Sequence, residues 1–288
     1  MSGMGERRGK VAVLTGAASG IGRGLAERLA RDGMRLVLAD VEAAPLEELA
    51  AGLRQGGAEV ITQVGDMSRA DDVEAVHRRA VETFGAVHLL STNAGVSAHG
   101  PVWTIDEATW GWVIGVNLVG TIHAVRTFVP DLVAQDDGYV LLTASMQGLT
   151  VPAGAAPYTV TKFGVVALAE VLHHDLRAAG SSVGVSVLCP GPIATRIGTS
   201  ARNRPDGRGS AEAAAATVPV HPQSWSPAAF ADLVVRCMEE ERFYVLTHPD
   251  YEVDVDRRHA AIKDSRAPAL LPPLAQRTFS EVAPELRP

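Results

Sequence analysis

Cysteine and aromatic side chains are scarce in this chain. Only Cys189 and Cys237 occur among its 288 residues, which rules out a disulfide framework and fits a reducing cytoplasm. Aromatic residues make up 5% against 47% hydrophobic residues in all, so a sizeable core is easily built without many of them. Lysine and arginine never cluster into a long run, and 26 basic against 33 acidic side chains leave a net charge of −7. Nucleic acid and anionic membrane are therefore not expected partners. The opening residues, MSGMGERRGK, are polar, and a turn interrupts the short apolar run behind them after Thr15. That pattern predicts neither a signal peptide nor a membrane span. No internal repeat or linker divides the sequence, and no metal site is expected.

What is present is an alternation of short β-branched runs with helical periodicity. Lys10–Thr15, Arg35–Asp40, Glu59–Val64, a run beginning at Val87–Leu90, Gly138–Ala144, Val183–Leu188 and Phe243–Leu246 read as strands. Helical spacing fills the gaps: Gly24–Gly33, Pro45–Arg54, Arg69–Phe84, a long apolar stretch over Ile105–Val133, Tyr158–Ala179 and Pro227–Glu241. The order predicts an α/β fold, a doubly wound, Rossmann-like parallel sheet of about seven strands with helices on both faces, in a single domain. The pattern lapses over Ile193–Gln223, and a loop of that length in a compact domain is usually a functional lid or disordered. Residues 251–288, with a proline-rich tail from Ala267, are an extension beyond what the fold needs.

Directly after the first strand comes TGAASGIG, with Gly16, Gly20 and Gly22, and then a helix. Glycine lets the backbone approach a ligand closely, and the helix N-terminus offers free N–H groups and a partial positive charge, so the unit is a phosphate cradle. The second strand ends in Asp40, where a dinucleotide-binding βαβ unit places a carboxylate against the adenosine ribose hydroxyls. The same carboxylate repels a 2′-phosphate, which argues for NAD. NADP is not excluded, because Arg23 and Arg35 lie close in sequence. Residues 1–250 are thus expected to form a dinucleotide-binding catalytic domain with its lid at about 193–223. Asp66, past the third strand, is read two ways, as an acceptor for the adenine amino group or as a cap with Ser68.

Tyr158 and Lys162 lie four apart at the head of a helical segment, so their side chains share a face. A cation a few Å from a phenol stabilises the phenolate and lowers a pKa that is otherwise near 10. A Tyr and a Lys at that spacing also occur by chance as a surface pair. Asn117, polar within the apolar GVNLVG, must find hydrogen-bond partners if buried. Ser145 follows the fifth strand where it leaves the sheet.

Taken together, the motifs TGAASGIG at Thr15–Gly22, NAG at Asn93–Gly95, Asn117, Ser145, YTVTK at Tyr158–Lys162 and PG at Pro190–Gly191 occur in an order and spacing that resembles the short-chain dehydrogenase/reductase superfamily, from about Lys10 to about Leu246. The resemblance implies an oxidoreductase moving hydride between NAD and a secondary alcohol or ketone. It implies Tyr158 as general acid or base, Lys162 lowering its pKa and bonding the nicotinamide ribose, Ser145 holding the substrate oxygen, and Asn117 fixing a water of a proton relay. The cofactor is expected against Gly16, Ser19, Gly20, Ile21 and Gly22, Asp40, Asp66 and Met67, Asn93, Ala94 and Gly95, Tyr158 and Lys162, and Pro190, Gly191, Ile193 and Thr195. A medium-sized, partly apolar substrate is expected against Ser97, His99, Met146, Gln147 and Gly154. The resemblance also implies a homodimer or homotetramer built through the helices carrying Asn117 and Tyr158. A protein that binds NAD as a sensor or scaffold, without turnover, is the alternative.

Overall fold

Strands whose side chains are apolar on both faces can be buried only between two layers of helices, and parallel order follows because each strand is separated from the next by a helix. The computed structural model, which describes residues 6–207, 221, 224–272 and 276, has that arrangement. Its strands are β1 Val11–Thr15, β2 Arg35–Asp40, β3 Val60–Val64, β4 Leu89–Thr92, β5 Tyr139–Thr143, β6 Gly184–Cys189 and β7 Tyr244–Leu246. They form one parallel sheet in the order β3-β2-β1-β4-β5-β6-β7. Val13 lies level with Val37 on one side and Leu90 on the other. The order reverses between β1 and β4, and the crevice beyond their carboxyl ends is where such sheets bind ligands.

Alternation along β1 divides the core. Ala12 and Leu14 point into a layer with Leu25 and Leu29 of helix α1 (Gly20–Arg31), Leu46 of α2 (Ala43–Gln55) and Phe230 of α7 (Pro227–Glu239). Val11 and Val13 point the other way, toward Val73 and Val76 of α3 (Ala70–Phe84), Phe128 of α5 (Gly120–Gln135) and Val165 of α6 (Ala156–Ala178). The stretch expected over Ile105–Val133 is α4 (Glu107–Ile114), a π-helical turn Gly115–Val119 and α5, continuous from Glu107 to Gln135. It is long and apolar enough to cross a membrane by length and composition alone. Val113, Asn117, Thr121, Ala124, Phe128 and Leu132 are nevertheless buried along one side of it, as in a core helix of a layered domain. The π turn falls at Asn117, which it turns inward.

Two segments beyond the regular alternation reach the sheet's carboxyl end. Of the lid expected over 193–223, the described part holds a short 3₁₀ helix, Ile197–Asn203. Of the extension 251–288, helix α8 (Glu252–Lys263) follows β7, and Leu271 and Pro272 come back to the crevice. His248, just past β7, pins the end of β6. Its Nδ1 accepts the Gly191 N–H at 3.2 Å, and a Cβ on residue 191 would lie 2.6 Å from the imidazole. The ring is 2% exposed, and burial pushes its pKa down to about 4.

A histidine kept neutral in the fold while the unfolded chain takes a proton near pH 6.5 makes stability fall with acid. The loss begins as pH drops through about 6.5 and is complete below about 4. Denaturant unfolding is expected to show about 2 kcal/mol of it between pH 7 and pH 5. His248→Asn is expected to flatten that slope relative to the parent chain, and an equal slope in both would contradict the assignment.

Candidate active site

The glycine turn closes on the segment after β4. At Gly16, φ is +62° and a Cβ would sit 2.7 Å from the Ala94 Cα, so the two backbones meet only without a side chain. Thr15 Oγ1 accepts the N–H groups of Asn93 and Ala94 at 3.0 and 3.2 Å, and Asn93 Nδ2 donates to the Gly16 carbonyl at 3.0 Å. Gly22 lies beneath the turn against the Gly16 carbonyl and outside the cavity lining. At the start of α1, Ser19 makes no side-chain cap and the first turn has no acid, so the N–H groups beside Ser19, Gly20 and Ile21 remain open to an anion.

Asp40 is 8% exposed at the other end of this cradle. Its Oδ2 accepts the Ala18 N–H and its Oδ1 the Glu42 N–H, both at 2.9 Å, which fixes the carboxylate while leaving lone pairs toward the cavity. Burial raises its pKa and those two backbone donors oppose the rise. The glycine-lined helix start and the fixed carboxylate fit a dinucleotide's phosphates and ribose. Arg23 and Arg35, whose closeness in sequence left NADP open, are engaged with other groups: Arg23 pairs with Glu27 at 3.0 Å, and Arg35 donates to the Gly9 carbonyl and lies over the Phe84 ring. Asp66 both accepts the Ser68 N–H at 2.9 Å and lines the cavity, with Met67 beside it.

Cradle and catalytic candidates share one cavity of about 350 Å³. It brings together Ser145, Tyr158 and Lys162 with Gly16, Ser19, Gly20, Ile21, Asp40, Asn93, Ala94, Gly95, Pro190, Gly191, Ile193 and Thr195. Lys162 is 4% exposed, donates from Nζ to the Thr143 carbonyl at 2.8 Å, and holds Nζ 5.4 Å from the Tyr158 ring centroid. The Tyr158 phenol is hydrogen-bonded to Ser145. The cation does not make this phenol acidic by itself. Desolvation pushes Tyr158 up to about 12, only partly opposed by Ser145, and pushes Lys162 down to about 8. Sequence spacing gives the pairing but carries no information about how much water the pair loses.

Asn117 lies behind the cavity, 1% exposed, and does not line it. Its Nδ2 donates to the Val96 carbonyl at 2.9 Å and to Thr161 Oγ1 at 3.1 Å, while Oδ1 accepts the Val96 N–H at 2.8 Å. Its own carbonyl accepts from Thr121 Oγ1 at 2.8 Å. The side chain is a brace for the segment after β4, with its amide protons committed to protein acceptors.

On the substrate side, Ser97, His99, Met146 and Gln147 line the cavity, His99 at its exposed rim and Met146 2% exposed at its floor. Gly154 does not line it. Its carbonyl accepts the Gly100 N–H at 2.9 Å and so anchors the loop that carries His99. Ser97 ties the lid down, its N–H donating to Ser200 Oγ at 2.9 Å and its hydroxyl to the Ile197 carbonyl at 3.1 Å. Arg204 holds the lid to α4, donating to Thr109 Oγ1 at 2.7 Å above the Trp112 ring. Trp112, Val116, Tyr251, Leu271 and Pro272 complete an apolar wall that the sequence reading lacked. No local motif marks them, since the first two sit in a uniformly apolar helix and the rest in the extension.

Residues 10–206 match the short chain dehydrogenase family. A short chain dehydrogenase/reductase from Burkholderia phymatum, solved in complex with NAD, superposes with a TM-score of 0.88 at 41% identity, covering 93% of this chain and 99% of that one. The C alpha-dehydrogenase of a Sphingobium species is 33% identical over 90% of this chain and 87% of its own length. The 1-deoxy-11-beta-hydroxypentalenate dehydrogenase of Streptomyces exfoliatus is 34% identical over 85% of each chain. With the glycine cradle, the parallel sheet and these relatives in agreement, the chain belongs to the short-chain dehydrogenases, a family of nicotinamide-dependent oxidoreductases.

Proposed function

We propose that this protein is an NAD-dependent dehydrogenase acting on a medium-sized, partly apolar secondary alcohol or the corresponding ketone. The observation that carries the reading is the convergence of Ser145, Tyr158 and Lys162 in the cavity that also holds the glycine turn and Asp40. Bound as the oxidised form, NAD supplies a hydride acceptor and a positive charge that favours the phenolate.

Ser145 Oγ hydrogen-bonds the substrate oxygen and sets it against the Tyr158 hydroxyl. Tyr158 takes the alcohol proton as the carbinol carbon is oxidised, and returns it when a ketone is reduced. Lys162, anchored on the Thr143 carbonyl, would donate to the nicotinamide ribose and keep a cation near the phenolate. Burial pushes the Lys162 pKa down to about 8, so the ammonium is retained below that pH. Asn117 holds the Val96 segment that borders the reacting groups. The wall of Val96, Trp112, Val116, Met146 and Leu271 favours an apolar substrate, with Gln147 or His99 meeting one polar group. A relative named for a hydroxypentalenate is consistent with that class. We further propose a cytoplasmic homodimer or homotetramer formed through α5 and α6, where Val133, Val160 and Val171 are 36%, 51% and 56% exposed.

In a screen of secondary alcohols read by NADH absorbance, Tyr158→Phe is expected to lower kcat by at least about 100-fold while the Kd for NAD changes little. Turnover that survives the substitution would defeat the catalytic assignment, and tight NAD binding with no turnover on any alcohol or ketone would favour a sensor. Asp40→Ser is expected to lower the NAD to NADP preference in kcat/KM at least about tenfold, through loss of one like charge near the 2′ position. An unchanged preference would remove Asp40 from the selecting role.

A further inference from the structure

Two positions beyond Asp40, Glu42 meets the lid across 160 residues of chain. Arg202 grips both of its oxygens, Nη2 to Oε2 at 2.7 Å and Nε to Oε1 at 3.1 Å. Arg196 Nη2 reaches Oε1 at 3.3 Å, and Asn203 adds a hydrogen bond. Through Nη1, Arg202 also donates to the carbonyls of Arg196 and Thr199 and to Thr199 Oγ1, at 3.0, 3.0 and 3.1 Å, so the same guanidinium ties the short lid helix together. The Glu42 and Arg202 side chains are 17% and 23% exposed, well shielded for an ion pair of this kind. The guanidinium lowers the Glu42 pKa, which keeps the acid ionised at neutral pH. All three charged groups line the cavity at its Asp40 end.

Resting on the reading of this cavity as a nicotinamide dinucleotide site, we propose that Glu42 is a second cofactor-selecting residue, acting as a latch that keeps the lid arginines from a 2′-phosphate. Asp40 and Glu42 carry two negative charges, and Arg196 and Arg202 carry two positive ones, so the ribose end has no net cation to offer. Most of the Arg202 donors are already committed to Glu42 and to the lid backbone. A phosphate oriented toward this end meets two carboxylates, with the Arg202 fork already engaged and Arg196 drawn to Glu42. Removing the Glu42 charge leaves both guanidinium groups without their carboxylate, and a phosphate dianion is the ligand such groups bind best.

The test is calorimetric titration of NAD and of NADP into the full chain, its Glu42→Gln variant and the Glu42→Gln/Arg196→Gln/Arg202→Gln triple variant. The single variant is expected to lower the Kd ratio of NADP to NAD at least about tenfold, and the triple variant to return it toward the parent value. A ratio unchanged in Glu42→Gln overturns the proposal. So does equal NADP affinity in the single variant and in Glu42→Gln/Arg196→Gln/Arg202→Gln, because the acid would then act by its own repulsion rather than by holding the arginines. Failure of the parent chain to bind either nucleotide overturns the dinucleotide reading and the latch with it. Binding of NAD with an unmoved ratio sinks the latch alone.

Discussion

Desolvation of one Tyr–Lys pair is the constraint on which the rest of this molecule depends. A phenol and an ammonium placed at the carboxyl end of a two-layered parallel sheet lose water that neither can spare in its charged form. The result is a phenol held neutral, with Tyr158 pushed up to about 12, beside a lysine pushed down to about 8. In the proposed function, the positive charge of the bound oxidised cofactor is what would lower the phenol's pKa in this cavity.

The remaining architecture keeps that pair in place and aims a dinucleotide at it. Thr15, Asn93 and Gly16 lock the ends of β1 and β4 together by hydrogen bonds and a close backbone approach. Asn117, turned inward by the π-helical turn, braces the Val96 segment against Thr161 on the helix that bears the pair. His248 plays the corresponding part for the Pro190–Gly191 turn beyond β6. The segment after β6 is held at three points, by Glu42 near Asp40, by Ser97 and by Arg204 over Trp112.

Much of this was legible in the sequence where a local pattern has a local cause. Short, near-continuous apolar runs between helical stretches marked the sheet, because both faces of a parallel strand must be buried. Gly16 and Asp40 stand out since a turn and a strand end fix what a nearby ligand meets. Other features have no local trace. The Glu42–Arg202 pair joins residues 160 apart, and a Glu near a strand end is otherwise an ordinary solvated acid. Gly191 was visible as part of a PG turn, but the imidazole that forbids a Cβ there comes from beyond β7. The extension was seen only as surplus length, whereas Leu271 and Pro272 face the cavity of their own chain. Most tellingly, spacing showed that Lys162 sits near Tyr158 and suggested an acidic phenol. Desolvation, which a one-dimensional pattern does not contain, pushes the phenol the opposite way.

The central claim is most directly tested by ultraviolet difference titration of the tyrosine signal in the full chain against its Tyr158→Phe variant, with and without saturating NAD in the oxidised form. The account predicts that the component assigned to Tyr158 titrates near 12 in the protein alone and moves down by at least about two pH units when the nicotinamide charge is bound. A phenol that already ionises near neutrality without nucleotide, or one whose titration is indifferent to it, would contradict the account.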